Sequence, residues 1–130
     1  KDVSIGKNIE DNAKIKNLSE ICDDDFILDI GPKTLEMIKS VIESSKTVLW
    51  NGPAGYFENK NFSIGTISIA NKISENTKKK SLISVLGGGD TLSAVQKSKN
   101  KFSFTHLSTA GGAFLEFLEG KDLPGLNVLK

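Results

Sequence analysis

The sequence has one cysteine, Cys22, and one histidine, His106. A lone cysteine excludes a disulfide within the chain and suits a reducing compartment. With no histidine near it, Cys22 reads as a bland thiol. No catalytic triad can be built around His106, which stands between Phe104 and Leu107 and reads as a hydrogen-bonded structural ring. No apolar run approaches the roughly twenty residues of a spanning helix. The opening Lys1-Asp2-Val3-Ser4-Ile5-Gly6 lacks the apolar stretch of a signal peptide, so the expectation is cytoplasmic, with no membrane partner. An excess of one charge is missing too: seventeen Lys plus Arg oppose sixteen Asp plus Glu, a formal charge of +1. No broad basic surface calls for nucleic acid, and any anion site must be local. The sole methionine is Met37, which leads us to expect sequence upstream of Lys1.

What remains is globular: 130 residues, 38% hydrophobic and 25% charged, fit one domain or a large piece of one. Leu35, Ile38, Val41 and Ile42 recur three and four apart behind Pro32 and predict an amphipathic helix over residues 34–44. Residues 47–50 are a compact strand closed by Asn51-Gly52-Pro53. A second helix is expected over residues 62–77, on Ile64, Ile67, Ala70 and Ile73, with Lys78-Lys79-Lys80 as its solvated end. Residues 81–86 are too continuously apolar for a sheet with one wet face and predict a buried parallel strand. A short helix with Leu92 and Val95, a strand near residues 104–107 and a last helix with Phe114, Leu115 and Leu118 complete the alternation. The fold class is α/β: a parallel sheet with flanking helices in a Rossmann-like three-layer arrangement. Val3 and Ile5, then Ala13, Ile15 and Leu18, suggest two short strands around a polar turn at residues 8–12. Trp50 and Phe57 flank a possible ligand loop but read as core, and Asp23-Asp24-Asp25 lacks calcium-loop spacing and reads as solvated.

Three loops follow successive strands: Asn51-Gly52-Pro53-Ala54-Gly55-Tyr56-Phe57-Glu58, Gly87-Gly88-Gly89-Asp90-Thr91 and Ser108-Thr109-Ala110-Gly111-Gly112-Ala113. In a parallel sheet they share one edge, where ligands normally bind. Small residues let the backbone approach a ligand, and a helix starting beyond the loop aims unpaired N–H groups at it. Such a pair of loops suits a polyphosphate. Asp90 has two readings, a Mg²⁺ ligand beside phosphate oxygens or a helix N-cap, while Thr91 can donate to a phosphate. Neither Gly-x-Gly-x-x-Gly nor a Walker A loop is present, since Leu92 breaks the first and no Gly-Lys pair is followed by Ser or Thr.

The four blocks Leu28-Asp29-Ile30-Gly31-Pro32-Lys33-Thr34, Thr47 through Glu58, Gly87 through Thr91 and His106 through Ala113, the last continuing to Gly120-Lys121 and Leu123-Pro124-Gly125, resemble phosphoglycerate kinase in content and order. The resemblance implies a two-domain kinase that transfers phosphoryl reversibly between Mg-ATP and 3-phosphoglycerate in glycolysis, a monomer when full-length. It implies that residues 1–130 are the C-terminal part of the nucleotide-binding domain, inactive alone, with the phosphoglycerate domain and the phosphate-binding lysines upstream. Carried over by position, Glu58 binds the ribose, Gly52, Ala54 and Phe57 line the nucleotide site, and Leu28 lies near adenine. Gly87, Gly88, Gly89 and Thr91 contact phosphates, Asp90 engages Mg²⁺, and Gly111 and Gly112 are the catalytic amides at the transferring phosphoryl. Two positions depart from the pattern: Ala110 and Ile27 stand where relatives often carry glycine. Two rival readings stay open, a free-standing nucleotide or phosphate binder and a fold in which the glycines only turn the chain.

Overall fold

The computed structural model describes residues 1–98 and 100–129. Its first 30 residues form an antiparallel sheet of order β2-β1-β3, with β1 at Asp2–Gly6, β2 at Lys14–Asn17 and β3 at Phe26–Ile30. The hairpin foreseen from Val3 and Ile5 is present, closed where the Lys7 N–H donates to Asp11 at 3.0 Å. The third strand was not foreseen. It pairs with β1 through a β-bulge: Ser4 faces Asp29 and Ile5 faces Ile27, leaving Leu28 as the extra residue. A bulge bends a strand and re-aims its neighbours.

The second sheet is parallel, in the order β4-β5-β6, with strands Thr47–Asn51, Ile83–Gly87 and His106–Ser108. Helix α1, Pro32–Ser44, leads into it, and α2, Ile64–Lys78, and α3, Gly89–Lys97, make its two crossovers. Two short helices follow, α4 at Gly112–Leu118 and α5 at Pro124–Asn127. The expected parallel sheet flanked by helices is therefore present. No helix among the described residues is long and apolar enough to cross a membrane.

The core lies between the parallel sheet and α1 and α2: Leu35, Ile42, Ile69, Ile73 and Leu82 are buried, with Val48, Trp50 and Phe104 packed on them. Each such aliphatic side chain contributes about 1.5–3 kcal/mol relative to exposure. Some expected core positions fall outside it. Val41 lies roughly 100° of helix rotation from Ile42, and Ile64 roughly 140° from Ile69, so both face solvent. The strand read as buried on both faces alternates instead: Ser84 and Leu86 are buried, whereas Ile83 is 56% exposed. His106 is exposed, and no hydrogen bond to its ring is found among the described residues.

Carboxylates of the antiparallel sheet hold the starts of the two long helices. Neither long helix is capped by its own preceding side chain. Asp2, buried in β1, instead accepts the Lys33 and Thr34 N–H groups of α1 at 3.1 and 2.8 Å. Burial works to raise the Asp2 pKa, but those N–H donors hold it below its ordinary value. Asp29, 3% exposed in β3, accepts the Gly65 N–H in the first turn of α2 at 2.8 Å. An added Cβ on Gly31 would run into Asp2, and one on Gly55 or Gly65 into Asp29.

Asp25 corrects the expectation of a solvated acidic run. Its side chain is fully covered, taking Lys16 at 2.6 Å, Lys7 at 3.0 Å and the Cys22 N–H at 2.9 Å. The Lys16 ammonium, then the Cys22 N–H and Lys7, hold this carboxyl far below the usual carboxylate range. Because the native pKa is depressed, its stabilisation is complete above the unfolded value of about 3.9 and is lost as pH falls toward the native one. Asp25→Asn is expected to lower the melting temperature at pH 7, with the gap to the parent protein closing as pH falls below about 4; thermal melts across pH 2–7 read this directly.

Candidate functional site

Strand register decides where the glycine loops leave the sheet. Asn51 of β4 is level with Gly87 of β5, and Gly87 with Ser108 of β6. The loops that begin at Gly52, Gly88 and Thr109 therefore spring from one row on the carboxyl edge. Direct contacts tie them together. The Gly52 N–H donates to the Thr91 hydroxyl at 2.7 Å. The Asn51 side-chain oxygen lies 3.0 Å from where a Cβ on Gly87 or Gly88 would stand, and the Phe114 ring of α4 is 3.4 Å from that position on Gly87.

Between Gly52 and Tyr56 the first loop has its amides paired. Gly52 uses Thr91; Ala54 and Gly55 donate to the Thr66 hydroxyl at 3.0 and 3.3 Å; Tyr56 donates to the Leu28 carbonyl at 2.7 Å. Pro53 has no N–H to offer. Ala54 packs on the core beneath the sheet. The loop is a fixed wall, and what it presents outward is side chains. Phe57 lies under Lys97, whose Nζ is 5.2 Å from the ring centroid, a cation–π distance. Glu58 is exposed beside Tyr56 and raises the phenol pKa by hydrogen bonding and charge. It opens on a depression shared with Ile9, Glu10, Asn59 and Lys60.

The second loop is the opposite case. Gly88 caps α3 with φ +89°, a conformation natural only to glycine. The Leu92 N–H closes the first turn on the Gly88 carbonyl. The N–H groups of Gly89, Asp90 and Thr91 precede any intrahelical acceptor, and none faces them among the described residues. Open space lies over Gly89. Asp90 is exposed inside the first turn and caps nothing, so the N-cap reading is not what the fold adopts. Its carboxylate has no partner among the described residues and stands beside the N–H groups of the first turn, at the positive end of a helix.

The third loop repeats this on a smaller scale. Gly111, φ +52°, caps α4, and Gly112 faces open space. Ala110 is not among the residues with positive φ, so the alanine departure meets no backbone strain. Ile27 likewise sits in extended β3.

These residues suit a magnesium ion that arrives with a polyphosphate. Mg²⁺ commonly takes one or two protein carboxylates and completes its shell with phosphate oxygens and water. Asp90 offers one such carboxylate, and no cluster of three or more metal-binding side chains exists among the described residues.

A family model described as phosphoglycerate kinase matches residues 1–121. The chain belongs to the phosphoglycerate kinase family. A phosphoglycerate kinase of Francisella philomiragia is 47% identical over 99% of the chain, which spans only 32% of that protein. Those of Francisella tularensis are 45% identical over the same share. The solved phosphoglycerate kinase of Coxiella burnetii superposes with a TM-score of 0.87 at 38% identity, over 99% of this chain and 33% of that one. That of Pyrococcus horikoshii OT3 gives 0.82 at 31%, over 98% and 31%. The chain thus spans about a third of the length of the phosphoglycerate kinases it matches.

Against the family pattern, Gly52, Gly87, Gly88, Gly89, Asp90 and Thr91 are brought together, and Leu28 meets the first loop through its bulged carbonyl. Glu58 stands on the hairpin side of the loop, in the depression it shares with Ile9 and Glu10. Thr91 is fully buried and serves here to join two loops. Thr66 escaped the sequence reading because its partners are 11 and 12 residues away with no pattern linking them. Lys97 escaped because nothing in spacing pairs it with Phe57. Every basic residue of the chain is lysine, so any cation it brings to the rim is a point charge rather than a guanidinium fork. Thr91→Val keeps the volume but strands the Gly52 N–H, at an expected cost of about 1–3 kcal/mol; urea unfolding and faster hydrogen exchange at Gly52 would register it.

Proposed function

We propose that this chain is the C-terminal part of the nucleotide-binding domain of a phosphoglycerate kinase, an enzyme that moves a phosphoryl group reversibly between ATP and the carboxylate of 3-phosphoglycerate. The observation that carries the reading is the row Asn51, Gly87, Ser108, which sets unused helix-terminal amides and the free Asp90 carboxylate on one rim. In this reading the exposed Gly89 and Asp90 amides hold the nucleotide phosphates, beside Gly87 and Gly88, which let the backbone come close, while the buried Thr91 braces the loop from beneath. Asp90 holds Mg²⁺, which supplies charge neutralisation across the phosphates. Gly52 and Ala54 form the wall, Leu28 and Phe57 flank the base, and Glu58 takes the ribose hydroxyls.

Gly111 and Gly112 aim their N–H groups at the oxygens of the transferring phosphoryl, whose spread charge is best held by preorganised donors in a dry site. The phosphoglycerate site and the phosphate-binding lysines belong to the remaining two-thirds of the enzyme, which works as a cytoplasmic, glycolytic monomer. Transfer requires both ligands to be held in line, so the 130-residue chain alone is expected to show no ATP-dependent phosphorylation of 3-phosphoglycerate. In the full-length protein, Asp90→Ala is expected to weaken Mg-ADP binding by about tenfold or more with an unchanged melting temperature. Calorimetric titration with and without Mg²⁺ tests this, and equal Mg-ADP affinity in the two proteins would reject the site.

A further inference from the structure

Asp29 is a buried carboxylate with no role in the transfer chemistry described above, and no lysine pairs with it among the described residues. Its two oxygens are occupied by N–H groups of Ile30 and Gly65, both at 2.8 Å. Burial raises its pKa, and those two donors oppose the rise. Next to the Leu28 bulge, this carboxylate lies at the start of α2, against both Gly55 and Gly65. One residue further into α2, Thr66 is fully buried and accepts the Ala54 and Gly55 amides. One residue before Asp29, the Leu28 carbonyl accepts Tyr56. Asp29 thus anchors the helix turn and the strand between which residues 54–56 are gripped, and Phe57 and Glu58 follow immediately.

We infer that Asp29 is a positioning residue for the nucleotide: through the first turn of α2 it fixes the loop that presents Phe57 and Glu58, without touching the ligand itself. The inference rests on the nucleotide-binding reading above. If the anchor goes, the loop keeps its sequence but loses its place, so the expected loss falls on the nucleotide and spares the acceptor.

The test uses the full-length enzyme with Asp29→Ala, Asp29→Asn and Thr66→Val, measuring kcat and both KM values beside the melting temperature. For Asp29→Ala the nucleotide KM should rise about tenfold while the phosphoglycerate KM stays within about twofold. Asp29→Asn retains one acceptor oxygen and should fall between the parent and Asp29→Ala. Thr66→Val removes the next link and should raise the nucleotide KM in the same way, which keeps the test alive if Asp29→Ala does not fold. A lowered melting temperature with an unchanged nucleotide KM, or equal losses for both substrates, would overturn the inference. A parent enzyme that shows no nucleotide saturation at all would instead bring down the nucleotide-binding reading, and this inference with it.

Discussion

Two carboxylates from the small antiparallel sheet reach across to the start of the two long helices, and the rest of the molecule is arranged around that reach. A helix begins with N–H groups that have no partner within it, and burying them unpaired is costly. Asp2 meets those of α1 and Asp29 meets that of Gly65 in α2. Each carboxylate is thereby made tolerable in a buried place, since a charge removed from water needs donors around it. The glycines at 31, 55 and 65 are the space in which these groups fit.

From this junction follows a division of labour along the rim. The first loop is braced from three sides, by Leu28, Thr66 and Thr91, and its amides from Gly52 to Tyr56 are used in the bracing. The second leaves its amides free because a helix starts there with no side-chain cap. A rigid wall beside an open row of donors is a sensible arrangement for a nucleotide: one part sets position, and the other meets charge. Preorganisation of this kind spares the site from reorganising when the ligand arrives.

The periodicity of α1 and α2, the turn at Asn51-Gly52-Pro53 and the glycine clusters were all readable, since each is a local property of a short window. The bulge at Leu28 was not readable, because it depends on β1 lying opposite with one residue fewer. Asp25 was misread as solvated for a similar reason: Lys7 and Lys16 are brought to it only when the hairpin folds over. Ile83 was expected to be covered on a parallel sheet, yet α1 and α2 pack on the face of Ser84 and Leu86, leaving its own face open.

The amino-acid sequence by itself determined the alternation of strand, glycine loop and helix, and the family, because those reside in residue types and their order along the chain. Tertiary structure alone decided that the three loops rise from one row, that Thr91 is spent on Gly52 and that Asp90 stands exposed in the first turn of α3 rather than capping it. Hydrogen bonds between residues tens of positions apart depend on register and crossover, and no local window of sequence contains either.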